Sequence, residues 1–156
     1  MSGILLDTVI IIDFLRAFRS SRPKSKEHKY HSEKAIELIE DLIEKRIPRY
    51  ISCHTIKELL QYPYISEQEE ARIDTMLPQF IKILPTTMKV AKVAGYFSRQ
   101  SAEYREHHIE DCYIAAAAVT YNLSLYTRNP DDYKYVEHAN LKVTVPYQYQ
   151  PSVSRD

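Results

Sequence analysis

The fold is decided by the segment ILLDTVIIIDFL, residues 4–15. A short apolar run, 4–6, ends at Asp7, and apolar positions continue from Val9 to Leu15. This pattern predicts a buried strand followed by a helix, with an acid at the junction. An aspartate at such a junction is most often the N-cap of the helix.

The same alternation of strand and helix continues along the chain. The predicted strands are 4–6, 50–52, 80–84, 123–126 and 141–145, and the predicted helices are 9–15, 32–45, 55–61, 66–76, 86–104 and 109–121. Residues 20–30 are predicted to be a polar loop, and 129–135 a turn with a short helix. Short apolar strands between helices are typical of an α/β layered domain with a mostly parallel sheet. We expect one domain over residues 1–145 and a polar surface tail over 146–156.

Composition restricts the classes of function. The 156 residues are 44% hydrophobic and 27% charged, as in soluble globular proteins. No apolar run approaches the roughly 20 residues that cross a bilayer, and no signal peptide is recognisable. The two cysteines predict a reducing compartment, hence the cytoplasm. The two glycines, Gly3 and Gly95, exclude a Walker phosphate loop and a dinucleotide-binding fingerprint.

The net charge gives no indication of nucleic-acid binding, since 21 Lys and Arg balance 21 Asp and Glu. A local exception is segment 16–29, which has six basic residues and one acid, Glu27. Such a segment is either a solvated loop or a phosphate-contacting surface.

Acidic residues follow several predicted strands, where ligands bind in open parallel sheets. Asp7 ends the first strand, Glu58 lies in the helix after the second, and Asp111 lies in the first turn of helix 109–121. Taken singly, each has an ordinary role. Asp7 could be an N-cap, Glu58 a capping-box partner of Thr55, and Asp111 a residue favoured by the helix dipole. Together they would repel one another unless a cation neutralised them. Oxygen ligands suit Mg²⁺ or Mn²⁺, which can activate water and offset the charge on a phosphodiester.

Four motifs that occur in this order resemble those of the PIN-domain family, especially its VapC-type toxins. The first segment, ILLDTVIIIDFL, resembles the form LLDTNVLIDLL. The segment ISCHTIKEL, 51–59, is similar to the second motif, in which a Ser and a Thr precede Glu-Leu. The segments DCYIAA, 111–116, and LYTRNPDDY, 125–133, resemble the forms DALIAA and LVTRNxxDF. With the last strand, the resemblance covers residues 4–145.

The resemblance implies an α/β/α sandwich around about five parallel strands, with metal-dependent cleavage of RNA. Asp7, Glu58 and Asp111 would hold Mg²⁺ or Mn²⁺, and Asn129 would complete the catalytic set where many relatives have a fourth acid. Asp132 is a nearby substitute ligand. Thr127 would orient its loop, and a closely packed alanine run, 115–118, would fix Asp111. The implied partners are single-stranded or structured RNA, an antitoxin protein and a second copy in a homodimer, with no membrane.

Two departures from the family pattern leave an alternative open. Val9 replaces a polar residue, and Asn129 has no charge, so the chain could instead be a catalytically inactive PIN scaffold that binds RNA or protein. A phosphatase of the haloacid dehalogenase type fits poorly, because it needs an aspartate where Val9 stands.

Three further interpretations concern individual side chains. Asp13 and Arg16 are expected to form an exposed helix pair. His107 could pair with Asp111, although surface packing is the ordinary role. Tyr147 and Tyr149 could stack on bases, although packing is the ordinary role of a tyrosine.

Overall fold

The computed structural model describes residues 3–151. Its five strands form one sheet in the order β3-β2-β1-β4-β5, and all neighbours are parallel. The strands are β1 Ile4–Leu6, β2 Arg49–Ser52, β3 Lys82–Leu84, β4 Ser124–Tyr126 and β5 Lys142–Thr144. From the central β1 the chain goes first to β2 on one side and later to β4 on the other. The carboxyl end of β1 is therefore the switch point at which open sheets bind ligands.

Helices cover both faces of this sheet. They are α1 Thr8–Arg16, α2 Lys26–Glu44, α3 Cys53–Leu60, α4 Glu67–Ala71, α5 Leu77–Phe80, α6 Met88–Arg99, α7 Ala102–His107 and α8 Ile109–Thr120. A π-helical turn, Arg72–Met76, joins α4 to α5, and a 3-10 turn covers Pro130–Tyr133. None of these helices, within residues 3–151, is long and apolar enough to cross a bilayer.

The core consists of two apolar clusters on opposite faces of the sheet. Leu5 packs in one cluster with α6 and α8, whereas Ile4 and Leu6 pack in the other with α1 and α2. This division follows from the alternation of side chains along a strand. The alanine run 115–118 of α8 is buried at every position. The expected α/β/α sandwich with a five-stranded parallel sheet is confirmed.

Two predicted helix boundaries were wrong. Helix α2 begins at Lys26, because the Ser25 hydroxyl accepts a hydrogen bond from the His28 N–H at 3.1 Å and caps it. The polar loop therefore ends before residue 26. The predicted helix 86–104 is two helices, because Ser101 has an extended backbone between α6 and α7.

The described part of the predicted surface tail, residues 146–151, returns to the core at Tyr147, and residues 152–156 lie outside the described residues. The Tyr147 side chain is 7% exposed and packs in the cluster formed with α1 and α2. Its hydroxyl donates to Asp13 Oδ2 at 2.7 Å. Tyr149 lies against Tyr30, with ring centroids 5.5 Å apart. Both tyrosines therefore have packing roles in the folded chain.

Candidate active site

Asp7 is the most buried acid at the carboxyl edge of the sheet, with 2% of the residue exposed. Its Oδ1 accepts from the Thr8 N–H at 2.8 Å, and it caps α1. Its Oδ2 accepts from the Thr127 hydroxyl at 2.7 Å, directly after β4. The pKa of Asp7 is raised to about 6, mainly by burial and also by the charge of Asp111, while the Thr127 hydrogen bond opposes the shift. Asp7 is thus both a helix cap and one of the acids at the carboxyl edge of the sheet, which we call the acidic edge.

Glu58 is held by α1 and has no capping role in its own helix. Its Oε1 accepts from the Thr8 hydroxyl at 2.7 Å. The Thr8 proton is used in that bond, so the Thr55 hydroxyl, 2.9 Å away, donates to Thr8. The cap of α3 is Ser52, whose hydroxyl accepts from the His54 N–H, so the capping-box interpretation of Thr55 and Glu58 was wrong.

The environment of Glu58 disfavours its charge. Burial raises the pKa of Glu58 to about 7, and the Thr8 hydrogen bond opposes this shift. The charges of Asp111 and Asp7 raise the pKa as well. The charge of Asp111 thus raises the pKa of both Asp7 and Glu58. The acids and histidine whose ligand atoms all lie within 4.8 Å of one another, among the described residues, are a different set: His108, Asp111 and Asp132.

Asp111 is paired with His108 and not with His107. Asp111 Oδ2 lies 2.8 Å from His108 Nδ1, whereas His107 is exposed. His108 directly precedes α8, three positions before Asp111, so its ring can contact a side chain in the first turn of that helix. Burial raises the pKa of Asp111, and the neighbouring charge of Asp132 adds to this shift.

The two remaining predicted ligands lie on the segment after β4. Asp132 is half-buried, and its carboxylate has an oxygen within 4.8 Å of ligand atoms of His108 and Asp111. Asn129 is half-buried, and its N–H donates to the Thr127 hydroxyl at 3.0 Å. The Asn129 side chain does not cap the 3-10 turn that follows it. The structure thus joins Asp132 to Asp111, and Asn129 to Asp7 through Thr127.

Tyr133 is a buried residue of this edge that sequence reasoning missed. It is 3% exposed, and its hydroxyl approaches the Asp7 carboxylate closely enough to lower the Asp7 pKa, although within residues 3–151 no partner lies in good hydrogen-bond geometry. Burial raises the pKa of Tyr133 well above its usual value, and the charges of Asp7 and Asp111 contribute. The only sequence signal is a tyrosine where the family form has phenylalanine. Thr8, Thr55 and His108 were also missed, since their roles depend on contacts between elements.

No described lysine or arginine side chain neutralises Asp7, Glu58 or Asp111. In the part of the chain that the structure describes, no lysine or arginine forms an ion pair with Asp7, Glu58 or Asp111. Lys57 pairs instead with Glu110, the residue before Asp111, with Nζ and Oε1 3.5 Å apart. Buried carboxylates without a cation are expensive, so these acids are candidates for binding a cation.

Residues 4–138 match the family model described as PIN domain. The chain belongs to the PIN domain family. Nucleases are members of this family, and the matched segment contains every acid described above. A search of curated proteins gives no match.

Solved structures share this PIN fold. FitAcB from Neisseria gonorrhoeae has a TM-score of 0.64 at 22% identity, covering 92% of this chain and 97% of that one. A toxin-antitoxin complex from Klebsiella pneumoniae has a TM-score of 0.64 at 24% identity, covering 94% and 100%. VapBC2 from Rickettsia felis, bound to a promoter DNA fragment, has a TM-score of 0.62 at 19% identity, covering 90% and 96%. At these identities the likeness establishes the fold.

Proposed function

We propose that this PIN-domain protein is a metal-dependent endoribonuclease that hydrolyses RNA phosphodiester bonds. The observation that carries the proposal is the group formed by Asp7, Glu58 and Asp111. All three acids are at least half-buried, all have raised pKa values, and no lysine or arginine of residues 3–151 pairs with them. Burial causes most of each shift and repulsion from neighbouring acids adds to it, and a divalent cation would offset both.

The donor set fits Mg²⁺ or Mn²⁺. Asp7, Glu58 and Asp111 offer carboxylate oxygens, with Asp132 and the Asn129 amide as further oxygen donors, and hard divalent ions prefer such ligands. The Tyr133 hydroxyl, buried beside Asp7 and without a partner in good hydrogen-bond geometry among residues 3–151, could also contact a bound water or a phosphate oxygen. When bound, the ion would lower the pKa of a water molecule and offset charge on the phosphodiester.

The chain's own contribution is to hold these oxygens in place. The Thr8 N–H and the Thr127 hydroxyl fix the two oxygens of Asp7. The Thr8 hydroxyl fixes Glu58 through Oε1 and leaves Oε2 without a protein donor among residues 3–151. His108 orients Asp111. A site held at this many points is preorganised, which is what electrostatic catalysis requires.

We further propose that the protein is the toxin of a toxin–antitoxin pair, acts in the cytoplasm and forms a homodimer. The support is the shared fold with a complex described as toxin-antitoxin and with VapBC2. The competing proposal, an inactive scaffold that binds RNA or protein, is favoured by two departures from the family form. Val9 replaces a polar residue. Asn129 supplies no charge to the segment after β4.

Cleavage of a mixed RNA pool by the purified protein separates the two proposals. We expect cleavage in Mg²⁺ or Mn²⁺, none in EDTA, and none from Glu58→Gln, which keeps the shape of the side chain and removes its charge. Glu37→Gln is the matched control, because Glu37 is an exposed helical glutamate paired with Lys34. Cleavage in EDTA, or full cleavage by Glu58→Gln, would overturn the metal-dependent mechanism, and no cleavage by any form would favour the scaffold.

A further inference from the structure

A cavity of about 420 Å³ opens beside Glu58. Helices α1, α3 and α4 and the segments between them form its walls, and Glu58 is one of the lining residues. Its volume lies within the roughly 300–1,000 Å³ of small-molecule sites. The inner surface includes the apolar side chains of Ile12, Leu15, Leu59 and Ile73. The cavity therefore combines an apolar interior with a direct approach to the acidic edge.

Two arginines give this cavity hydrogen-bond donors. Arg19 Nη2 lies 3.1 Å from Glu69 Oε1, and Arg72 Nη1 lies 3.0 Å from Glu69 Oε2. Glu69 is 9% exposed and has one oxygen bound to each arginine. Each guanidinium has five N–H donors, so most of them remain available beyond the Glu69 pairs. Because Glu58 also lines the cavity, its two arginines and two glutamates balance formally, and the arginines contribute hydrogen-bond donors rather than net charge.

Two exposed tyrosines stand at the cavity. Tyr62 is 59% exposed and Tyr64 is 81% exposed, and their ring centroids are 5.8 Å apart in an edge-to-face arrangement. Both rings line the cavity. Exposed aromatic rings beside arginine side chains are elements with which proteins bind single-stranded nucleic acid, because every base can stack on such a ring.

We propose that this cavity is a nucleobase-binding subsite that accepts a base of the RNA strand next to the bond to be cut. The proposal rests on the proposed function, because Glu58 forms one wall. The faces of a base match the apolar interior and the tyrosine rings, and its edge oxygens and nitrogens match the arginine donors. A bare phosphate would leave the apolar wall unused. The preference of the enzyme for particular cleavage positions would then arise here.

The direct test is binding of the four nucleoside 5′-monophosphates to the full chain in EDTA, followed by NMR. We expect at least one nucleotide to shift signals of the cavity residues, and inorganic phosphate to leave them unshifted. Tyr64→Ala should weaken this binding roughly tenfold, as expected for the loss of one stacking ring, and Tyr64→Phe should restore it. Tyr135→Ala, at an exposed tyrosine outside this cavity, is the matched control.

A second measurement distinguishes failure of the subsite from failure of the proposed function. Nucleotide binding at the cavity without RNA cleavage in Mg²⁺ or Mn²⁺ would support the subsite and refute the nuclease. Cleavage whose sequence preference and KM are the same in wild type and in the Tyr62→Ala, Tyr64→Ala double variant would overturn the subsite. It would also be overturned if no nucleotide bound and the cavity signals instead shifted on addition of a protein partner alone.

Discussion

Helix α1 carries two buried aspartates with opposite surroundings. Asp7 at its start is 2% exposed, and Asp13 near its end is fully buried. Asp13 accepts from Arg128 Nε at 2.8 Å and Nη2 at 3.2 Å, and from the Tyr147 hydroxyl at 2.7 Å. Among residues 3–151, the donors to Asp7 are uncharged: the Thr8 N–H and the Thr127 hydroxyl, with the Tyr133 hydroxyl close by. Burial of an acid is therefore not by itself a sign of function, whereas burial without a partner cation is.

One short segment serves both aspartates. Thr127 donates to Asp7, and the next residue, Arg128, pairs with Asp13. The ion pair between Asp13 and Arg128 thus fixes the position of the loop from which Thr127 orients Asp7. The comparison predicts that removing the charge of Asp13 destabilises the fold, whereas removing the charge of Asp7 stabilises it.

Asp13→Asn is expected to have the largest effect. Breaking a buried ion pair leaves an uncompensated charge, here that of Arg128, and typically costs about 3–5 kcal/mol. Urea unfolding measures this loss. Asp41→Asn, which removes an exposed pair with Lys45, should change stability by less than about 1 kcal/mol. Equal stabilities of the two variants would show that the Asp13 network has no structural role.

Asp7→Asn is expected to act in the opposite direction when metal is absent. The pKa of Asp7 is raised to about 6, so the folded state holds a proton that the unfolded state loses above its ordinary pKa. The stability contributed by that proton is fully present below pH 4 and is lost as the pH rises to about 6.

Asparagine resembles the protonated acid, so in EDTA at pH 8 the variant should be more stable than wild type by on the order of 2 kcal/mol. The difference should shrink at pH 5. Urea unfolding at both pH values tests it, and a less stable variant at pH 8 would contradict the account of Asp7.

Tyr147→Phe is expected to have the smallest of these effects. It removes one hydrogen bond to the Asp13 carboxylate and keeps the buried ring, and such bonds to charged groups contribute about 1.5–3 kcal/mol. With the Arg128 pair intact, the loss should fall near the lower end, about 1.5 kcal/mol by thermal unfolding. Tyr149→Phe is the control. An unaltered melting temperature in Tyr147→Phe would mean that Arg128 alone satisfies Asp13.

The acidic edge could be predicted from the sequence because it depends on local order. Asp7 and Asp111 follow recognisable strand or helix signals, and a parallel sheet necessarily brings such positions to one edge. The network of Asp13 could not be predicted. Its partner Arg128 is 115 residues away along the chain. The sequence instead predicts a pair with Arg16, three residues away, whose guanidinium lies 3.6 Å from the Asp13 carboxylate.

Two other features were not predicted from the sequence, because they too depend on contacts between distant parts of the chain. Tyr147 lies in a polar, proline-bearing segment, where no periodic pattern reveals that one ring is buried. The predicted start of α2 is too late, because the first turn of this helix is exposed and polar and so has no apolar face to detect. Tertiary contacts, and not local propensity, determine both features.

Metal-dependent melting tests the central claim most directly. A ligand of the folded state stabilises it by mass action, by about 2.7 kcal/mol at a hundred times its Kd, so a saturating concentration of Mg²⁺ or Mn²⁺ should raise the melting temperature of wild type by roughly 5 °C at pH 8. Asp111→Asn should lose most of that increase, and Asp41→Asn should retain it. An unchanged melting temperature in wild type, or an equal increase in Asp111→Asn, would show that the acids at the carboxyl edge do not form a metal site.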